Sequence, residues 1–417
     1  MMAKAKENKI VVVGAGIVGV STAIWLRRSG KDVTLIDKGV PGQGTSFGNA
    51  GLLAASSIVP VTVPGLIPKS PKYLFDPNFP LFLRWSYLPR LAPWLIRFLS
   101  HANDKDTRRI ATALTPILGD TVEQHQALAR GTRAEKWVVE SDVGYAYADR
   151  AGFDDDAYSW GLRREAGFIP ELIEGRAVQE REPCLSPDIT LLAVMKNHGY
   201  ILDPGQYVAD LADELVEMGG TVLQAEVRDF DLTSGCITAV ETDKGRIDCE
   251  NAILTAGVWS KPLMKKLGLN IPLESERGHH ILYKNPSVKP SMPIMITTGK
   301  FVATPMAMGL RCAGTVELGG LKAGQSRAPL AFLRKKVTAS FPELKAESEE
   351  EWLGHRPSTT DSLPLIGEIR GTGVYAGFGH QHIGLTAGPK TGRLIADLIN
   401  GKKPNIDLSP YDTARFR

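Results

Sequence analysis

The sequence predicts an α/β fold: a Rossmann-like dinucleotide-binding domain carrying an inserted α+β substrate domain with a mixed or antiparallel sheet. Three observations predict it. A strand, a glycine turn, a helix and a second strand follow one another over residues 10–37. A second glycine-rich turn leads into the last helix, and the segments between break the βαβ rhythm. At 417 residues the chain also exceeds the usual size of one hydrophobic core.

The apolar run Ile10 to Val13 reads as the first strand, and Gly14, Gly16 and Gly19 turn the chain into an apolar-faced helix that runs to about Arg28. Gly30 closes that helix, and Asp32 to Ile36 makes the second strand. From Pro60 to Pro93 prolines recur beside Trp85 and Trp94, which marks the start of the insertion. Helical patterns follow from Lys105 to about Arg130 and from Ala157 to Glu165. An amphipathic helix running to Met218 and closed by Gly219 and Gly220 precedes strand-like Val222 to Val227, Ile237 to Thr242 and Ala252 to Thr255. Residues 271–350 mix strands and a helix, and the strand Gly373 to Ala376, a glycine turn and the helix Thr386 to Asn400 finish the chain. The resulting division puts 1–65, 200–265 and 351–417 in the nucleotide domain, and 66–199 and 266–350 in the substrate domain.

Lys and Arg number 49 against 46 Asp and Glu, scattered along the chain, so no nucleic-acid partner is expected. Cys184, Cys236, Cys249 and Cys312 are isolated, which predicts neither a disulfide framework nor a metal site and suits a reducing, cytoplasmic setting. The polar stretch Met1 to Lys9 lacks a cleavage site and does not read as a signal peptide. Arg84, Arg90 and Arg97 interrupt the apolar segment Phe79 to Leu99, so it does not span a bilayer. It reads as an interdomain helix with snorkelling arginines, or as a peripheral contact with the inner membrane face near a quinone.

The fingerprint carries the chemistry. Gly14 permits the tight turn, Gly16 lets backbone approach a pyrophosphate, and Gly19 lets helix pack on strand, with Ile17 and Val18 offering amides at the helix start. Asp37, followed by Lys38, ends the second strand at roughly the 20-residue spacing of a ribose-binding carboxylate. Read blandly, these glycines make a turn and nothing else. FAD and NAD share the group bound here, so other segments must separate them. Thr45, Ser46, Asn49, Ala50 and Gly51 supply polar groups and bare backbone suited to a longer cofactor. The turn Gly379, His380, Gln381, His382, Ile383, Gly384, running into Leu385 and Thr386, points a second helix N-terminus where a reduced flavin carries negative charge.

These segments, with Ala256, Gly257, Trp259 and Ser260 and with Gly354 to Pro357, resemble the D-amino-acid oxidase superfamily over nearly the whole chain, most closely the small-subunit type of bacterial D-amino-acid dehydrogenase. The resemblance implies non-covalent FAD, since no cysteine follows Cys312, with Val227 and Thr255 completing the cofactor set. It implies that Arg356 grips the substrate carboxylate, a role that a planar guanidinium suits; an interdomain salt bridge is the plainer alternative. Arg277 and His279 are implied as a second carboxylate or roof contact, although a strand histidine is as often a packing residue. Gln381 and His382 stand where glycine oxidase has Phe-Arg, and the pattern looks more like the subgroup acting on hydroxyproline and D-proline-like imino acids. The implied reaction passes hydride from Cα of a small D-amino acid to the flavin, with oxygen or a quinone as acceptor. A homo-oligomer or a partner subunit fits equally. Three rivals stand beside it: a glycine or sarcosine oxidase, an NAD-dependent dehydrogenase, and a non-catalytic flavin-binding subunit.

Overall fold

The computed structural model describes residues 9–66 and 80–416. Met1 to Asn8 and the stretch 67–79, which holds part of the proline-rich run and Phe79, lie outside the described residues.

The first sheet has six strands in the order Leu365–Glu368, Val374–Phe378, Asn251–Leu254, Lys9–Val13, Asp32–Asp37, Thr221–Gln224. Every neighbouring pair is parallel except the first. Its central strand buries Ile10 to Val13 on both faces, as a parallel strand between helical layers must. The fingerprint helix Ile17–Arg28 packs on the last helix, Gly384–Ile399, and on Pro204–Glu217. The approach to the first strand is close enough that a Cβ on Gly19 would lie 1.8 Å from the Gly14 carbonyl oxygen.

The second sheet has ten strands, eight on its main path, Ser348–Thr359, Leu273–Lys284, Gly309–Leu318, Phe301–Met306, Ile294–Ile296, Val138–Tyr147, Leu191–Ile201 and Leu52–Leu53 in order, with Leu81–Leu83 and Glu171–Glu174 paired beside it. Its pairings are antiparallel except Ile294–Ile296 with Val138–Tyr147 and Leu81–Leu83 with Gly309–Leu318. The fold is therefore the expected α/β class with a mixed second sheet. Val227–Thr233, Cys236–Thr242 and Gly245–Asp248 form a separate meander, so the expected strand Val222 to Val227 is split between two sheets.

Packing corrects the division along the chain at two places. The helical stretch from Lys105 is two helices, Asp104–Leu118 and Thr121–Ala129, interrupted just beyond Pro116, whose ring removes a backbone donor. Assigned to the substrate domain by sequence, both helices bury Ile110, Leu114, Ile117 and Leu128 in one cluster with Ile10, Val12 and Ile24 of the nucleotide layer. The Lys390 ammonium holds Asp120 at 2.8 Å and fixes that docking. Conversely, residues 351–359 belong to an edge strand of the large sheet rather than to the nucleotide domain. Apolar periodicity sees that a helix has a core face, not which core it meets.

Helix Leu88–Ser100 turns Leu91, Trp94 and Phe98 inward against Leu318, and the Trp94 indole donates to the Ser358 carbonyl at 3.2 Å. Among the described residues no helix is long and apolar enough to cross a membrane.

Candidate functional site

One cavity of about 930 Å³ runs between the two sheets. That volume is at the upper end for small-molecule sites and suits an elongated ligand. Asp37, Lys38, Val227 and Trp259 line one end, and Arg356, His279 and His382 line the other. All of the cofactor-set residues predicted above line it except Gly19, which packs helix on strand, and Gly379, whose φ of +88° makes the turn.

At the nucleotide end, Gly14 adopts a φ of +108°, a left-handed conformation open to glycine. Asp37 ties the turn together: one carboxylate oxygen accepts the Ala15 amide at 2.8 Å and the other the Gly39 amide at 2.8 Å. A carboxylate has further lone pairs, which stay available to ribose hydroxyls. The Lys38 ammonium sits 4.7 Å from the Trp259 ring centroid, making a cationic, aromatic wall. In the middle, the Ser46 hydroxyl accepts the Ile17 amide at 3.0 Å. Asn49 donates to the Ser46 carbonyl at 2.7 Å and accepts the Gly51 amide at 2.7 Å, which stiffens the loop that follows the second strand.

Two helix starts open into this cavity, those of Ile17–Arg28 and Gly384–Ile399. Neither has a side-chain cap or an acidic residue in its first turn. Apart from the Ile17 amide taken by Ser46, their first-turn amides and positive dipole ends would suit anionic groups: a pyrophosphate at the first, and the negative edge of a reduced isoalloxazine at the second. These features fit FAD. None of the cysteines is among the cavity-lining residues described.

At the far end Arg356 lies under the large sheet. Its guanidinium donates to the Thr315 carbonyl at 3.0 Å and more weakly to Gly314 at 3.4 Å, which aims the remaining N–H groups into the cavity. Burial lowers its pKa from the usual value, with Glu276 opposing, and a guanidinium remains charged regardless. His382, in the short turn Gln381–Ile383, presents its ring to the cavity. Although the residue is exposed to the open cavity, the protein crowded around its ring and then repulsion from Arg356 push its pKa down to about 4. His279 also lines the cavity, with Nδ1 3.3 Å from the Thr315 hydroxyl, and burial pushes its pKa to about 4.

Arg277 is a correction. Expected at the substrate, it is instead fully buried away from the cavity, donating to the Gly324 carbonyl at 2.6 Å and lying 3.4 Å from Glu317. Directly paired residues of antiparallel strands share a face. Arg277 pairs with His355 and Glu276 pairs with Arg356, so it is Glu276 that faces the cavity. Reading the sequence missed Glu276. Pairing in register with Arg356 is the signal that finds it, and a single sequence does not contain it.

This geometry defines a flavin-dependent oxidoreductase with a guanidinium open to the far end of its cavity. A family model described as FAD dependent oxidoreductase, the DAO family, matches residues 9–398, and the chain belongs to that family. It is 39% identical over 416 residues to a D-amino-acid oxidase of Bradyrhizobium diazoefficiens, covering 98% of both chains. It is 28% identical to a D-amino acid dehydrogenase of Rhizobium rhizogenes, covering 98% of this chain and 100% of that one. Among solved structures, glycine oxidase from Geobacillus kaustophilus superposes with a TM-score of 0.73 at 20% identity, covering 98% of this chain and 99% of that one. L-proline dehydrogenase from P. horikoshii does so with a TM-score of 0.73 at 20% identity, covering 99% and 98% respectively, and both share the fold.

Proposed function

We propose that this flavoprotein oxidises a small D-amino acid at the carbon bearing the amine, with 4-hydroxy-D-proline or another D-proline-like imino acid as the preferred class. The observation that carries the reading is the Arg356 guanidinium, held by two backbone carbonyls and open to the cavity at the end where the last helix begins. Two parallel N–H donors on a carboxylate set the direction of the adjacent Cα–H bond. The names of the two relatives above support the D-amino-acid class.

Bound FAD supplies the hydride acceptor. The chain supplies position: Arg356 anchors the carboxylate, and the sheet that carries Gly278, Ala313 and Gly314 walls the substrate against the ring site. A neutral His382 beside Arg356 offers a hydrogen-bonding nitrogen without competing for the anion, which suits a hydroxyl-bearing imino acid. Oxygen or a quinone completes the cycle.

The test is anaerobic bleaching of the flavin by D-amino acids, D-proline derivatives, glycine and sarcosine. The reading expects D-amino acids to bleach it, with D-proline derivatives fastest. Bleaching by glycine and sarcosine alone would move the chain to the amine-oxidase class, and bleaching by none would end the catalytic reading.

A further inference from the structure

We propose that Glu276 is the proton acceptor for the substrate amine, an inference that rests on the D-amino-acid reading above. Amino acids arrive as ammonium ions, and an ammonium has no lone pair with which to expel hydride. Well below the amine's own pKa, a group at the site that takes that proton spares the substrate from waiting for solvent to do so.

The geometry points to Glu276. It sits on Leu273–Lys284, opposite Arg356 on Ser348–Thr359, and both side chains line the reactive end of the cavity. Among the described residues the two form no ion pair within bonding reach, yet they feel each other's charge. The Ser358 hydroxyl approaches Glu276 without a well-formed hydrogen bond. A buried carboxylate is thus left facing a ligand cavity beside a half-buried guanidinium, with a gap between them. An α-amino acid carries the complementary pair, its carboxylate for Arg356 and its ammonium for Glu276. Buried carboxylates without a partner are rare because desolvation penalises them, which favours a charged occupant of the gap.

Burial holds the Glu276 pKa above the usual carboxylate range, against the opposing pull of Arg356, so its conjugate base is stronger than a solvated glutamate. In the proposed step an ammonium N–H bond breaks, its electron pair stays on nitrogen, and the proton forms an O–H bond on Glu276. The freed lone pair then forms the C=N bond as the Cα–H bond leaves with its two electrons, as hydride, to the FAD that the family's activity supplies. His279 and His382 face the same space but are held neutral with low basicity, His279 chiefly and His382 entirely within surroundings that oppose protonation. Arg356 stays protonated, because a guanidinium has no lone pair to offer.

The test compares holoenzyme of wild type, Glu276→Gln and Glu276→Asp, using a D-amino acid that bleaches the wild type. Removal of a general base lowers kcat/KM by about 10²–10⁴-fold near neutral pH. For Glu276→Gln that deficit is expected to shrink as the pH rises toward the amine's own pKa, where solvent delivers neutral amine, and Glu276→Asp should restore part of the rate. Binding of acetate, read from the flavin absorbance, needs no amine and should be unchanged or tighter in Glu276→Gln. A deficit that is the same at every pH, or none, overturns the proposal while leaving the D-amino-acid reading intact. Failure of the wild type to bleach with any D-amino acid overturns both.

Discussion

Gly278 makes room for Arg356. A Cβ at position 278 would lie 2.5 Å from the Arg356 Cζ, closer than real side chains approach, and the guanidinium is the far end of a flexible side chain. Gly278→Ala should therefore cost little stability, because the arginine can swing aside. It would also displace the carboxylate anchor, and misplacement of about 1 Å can lower a rate by about 10²-fold. The expected outcome is a kcat/KM reduced by roughly that factor, with FAD content and melting temperature near wild type. Unaltered kinetics would mean that the arginine's position is not set at this contact.

Substitution of Arg356 itself separates charge from shape. Lysine keeps the charge but loses the planar pair of donors that the Gly314 and Thr315 carbonyls aim. Arg356→Lys is expected to raise KM about tenfold and Arg356→Leu about 10²–10³-fold, since charge-assisted bonds each contribute about 1.5–3 kcal/mol. FAD should remain bound in both. If Arg356→Leu leaves substrate affinity intact, the carboxylate lies elsewhere.

What could be read from the sequence was local. The fingerprint needs only glycines at fixed spacing between a strand and a helix, and Gly14, Gly19 and Asp37 take the places that this spacing implies. The turn at His382 was legible for the same reason. Arg277 was misplaced because its face depends on pairing with a strand some eighty residues away, and a bulge between Arg277 and His279 on the other side further disturbs the alternation. Glu276 went unseen on the same account. The helices Asp104–Leu118 and Thr121–Ala129 show equally plain amphipathicity whichever domain they cover, so only the tertiary contact with Ile10 and Ile24 decides.

Asp37 has two tasks, and one variant exposes both. Its carboxylate holds the Ala15 and Gly39 amides, which shapes the turn, and it faces the cavity where ribose hydroxyls would bind. Asp37→Ala removes both carboxylate acceptor oxygens, a loss of about 1.5–3 kcal/mol, or about 10–100-fold in FAD affinity. Asp37→Asn keeps one acceptor oxygen and should fall between the two. Titration of apoprotein with FAD, followed by flavin fluorescence, gives the dissociation constants. Equal affinity in all three proteins would remove Asp37 from the cofactor site.

Acid should destabilise the fold before most carboxylates titrate. Burial holds His125 and His279 near a pKa of about 4, and His280 and His380 near about 3, against an ordinary value of 6.5. The unfolded chain therefore binds protons at these rings at a higher pH than the folded chain does. Where the unfolded state binds more protons, stability rises with pH, so this contribution is complete above about pH 6.5 and is lost progressively as pH falls toward the folded values. His125 is the clearest case, fully buried with Nδ1 2.9 Å from the Tyr207 hydroxyl and Nε2 3.0 Å from the Leu385 carbonyl, at the root of the last helix. Melting temperature is expected to fall steadily from about pH 7 to about pH 4.5, and His125→Gln, which cannot gain charge, should flatten part of that slope. A melting temperature constant across this interval would show that these imidazoles are not held neutral by the fold.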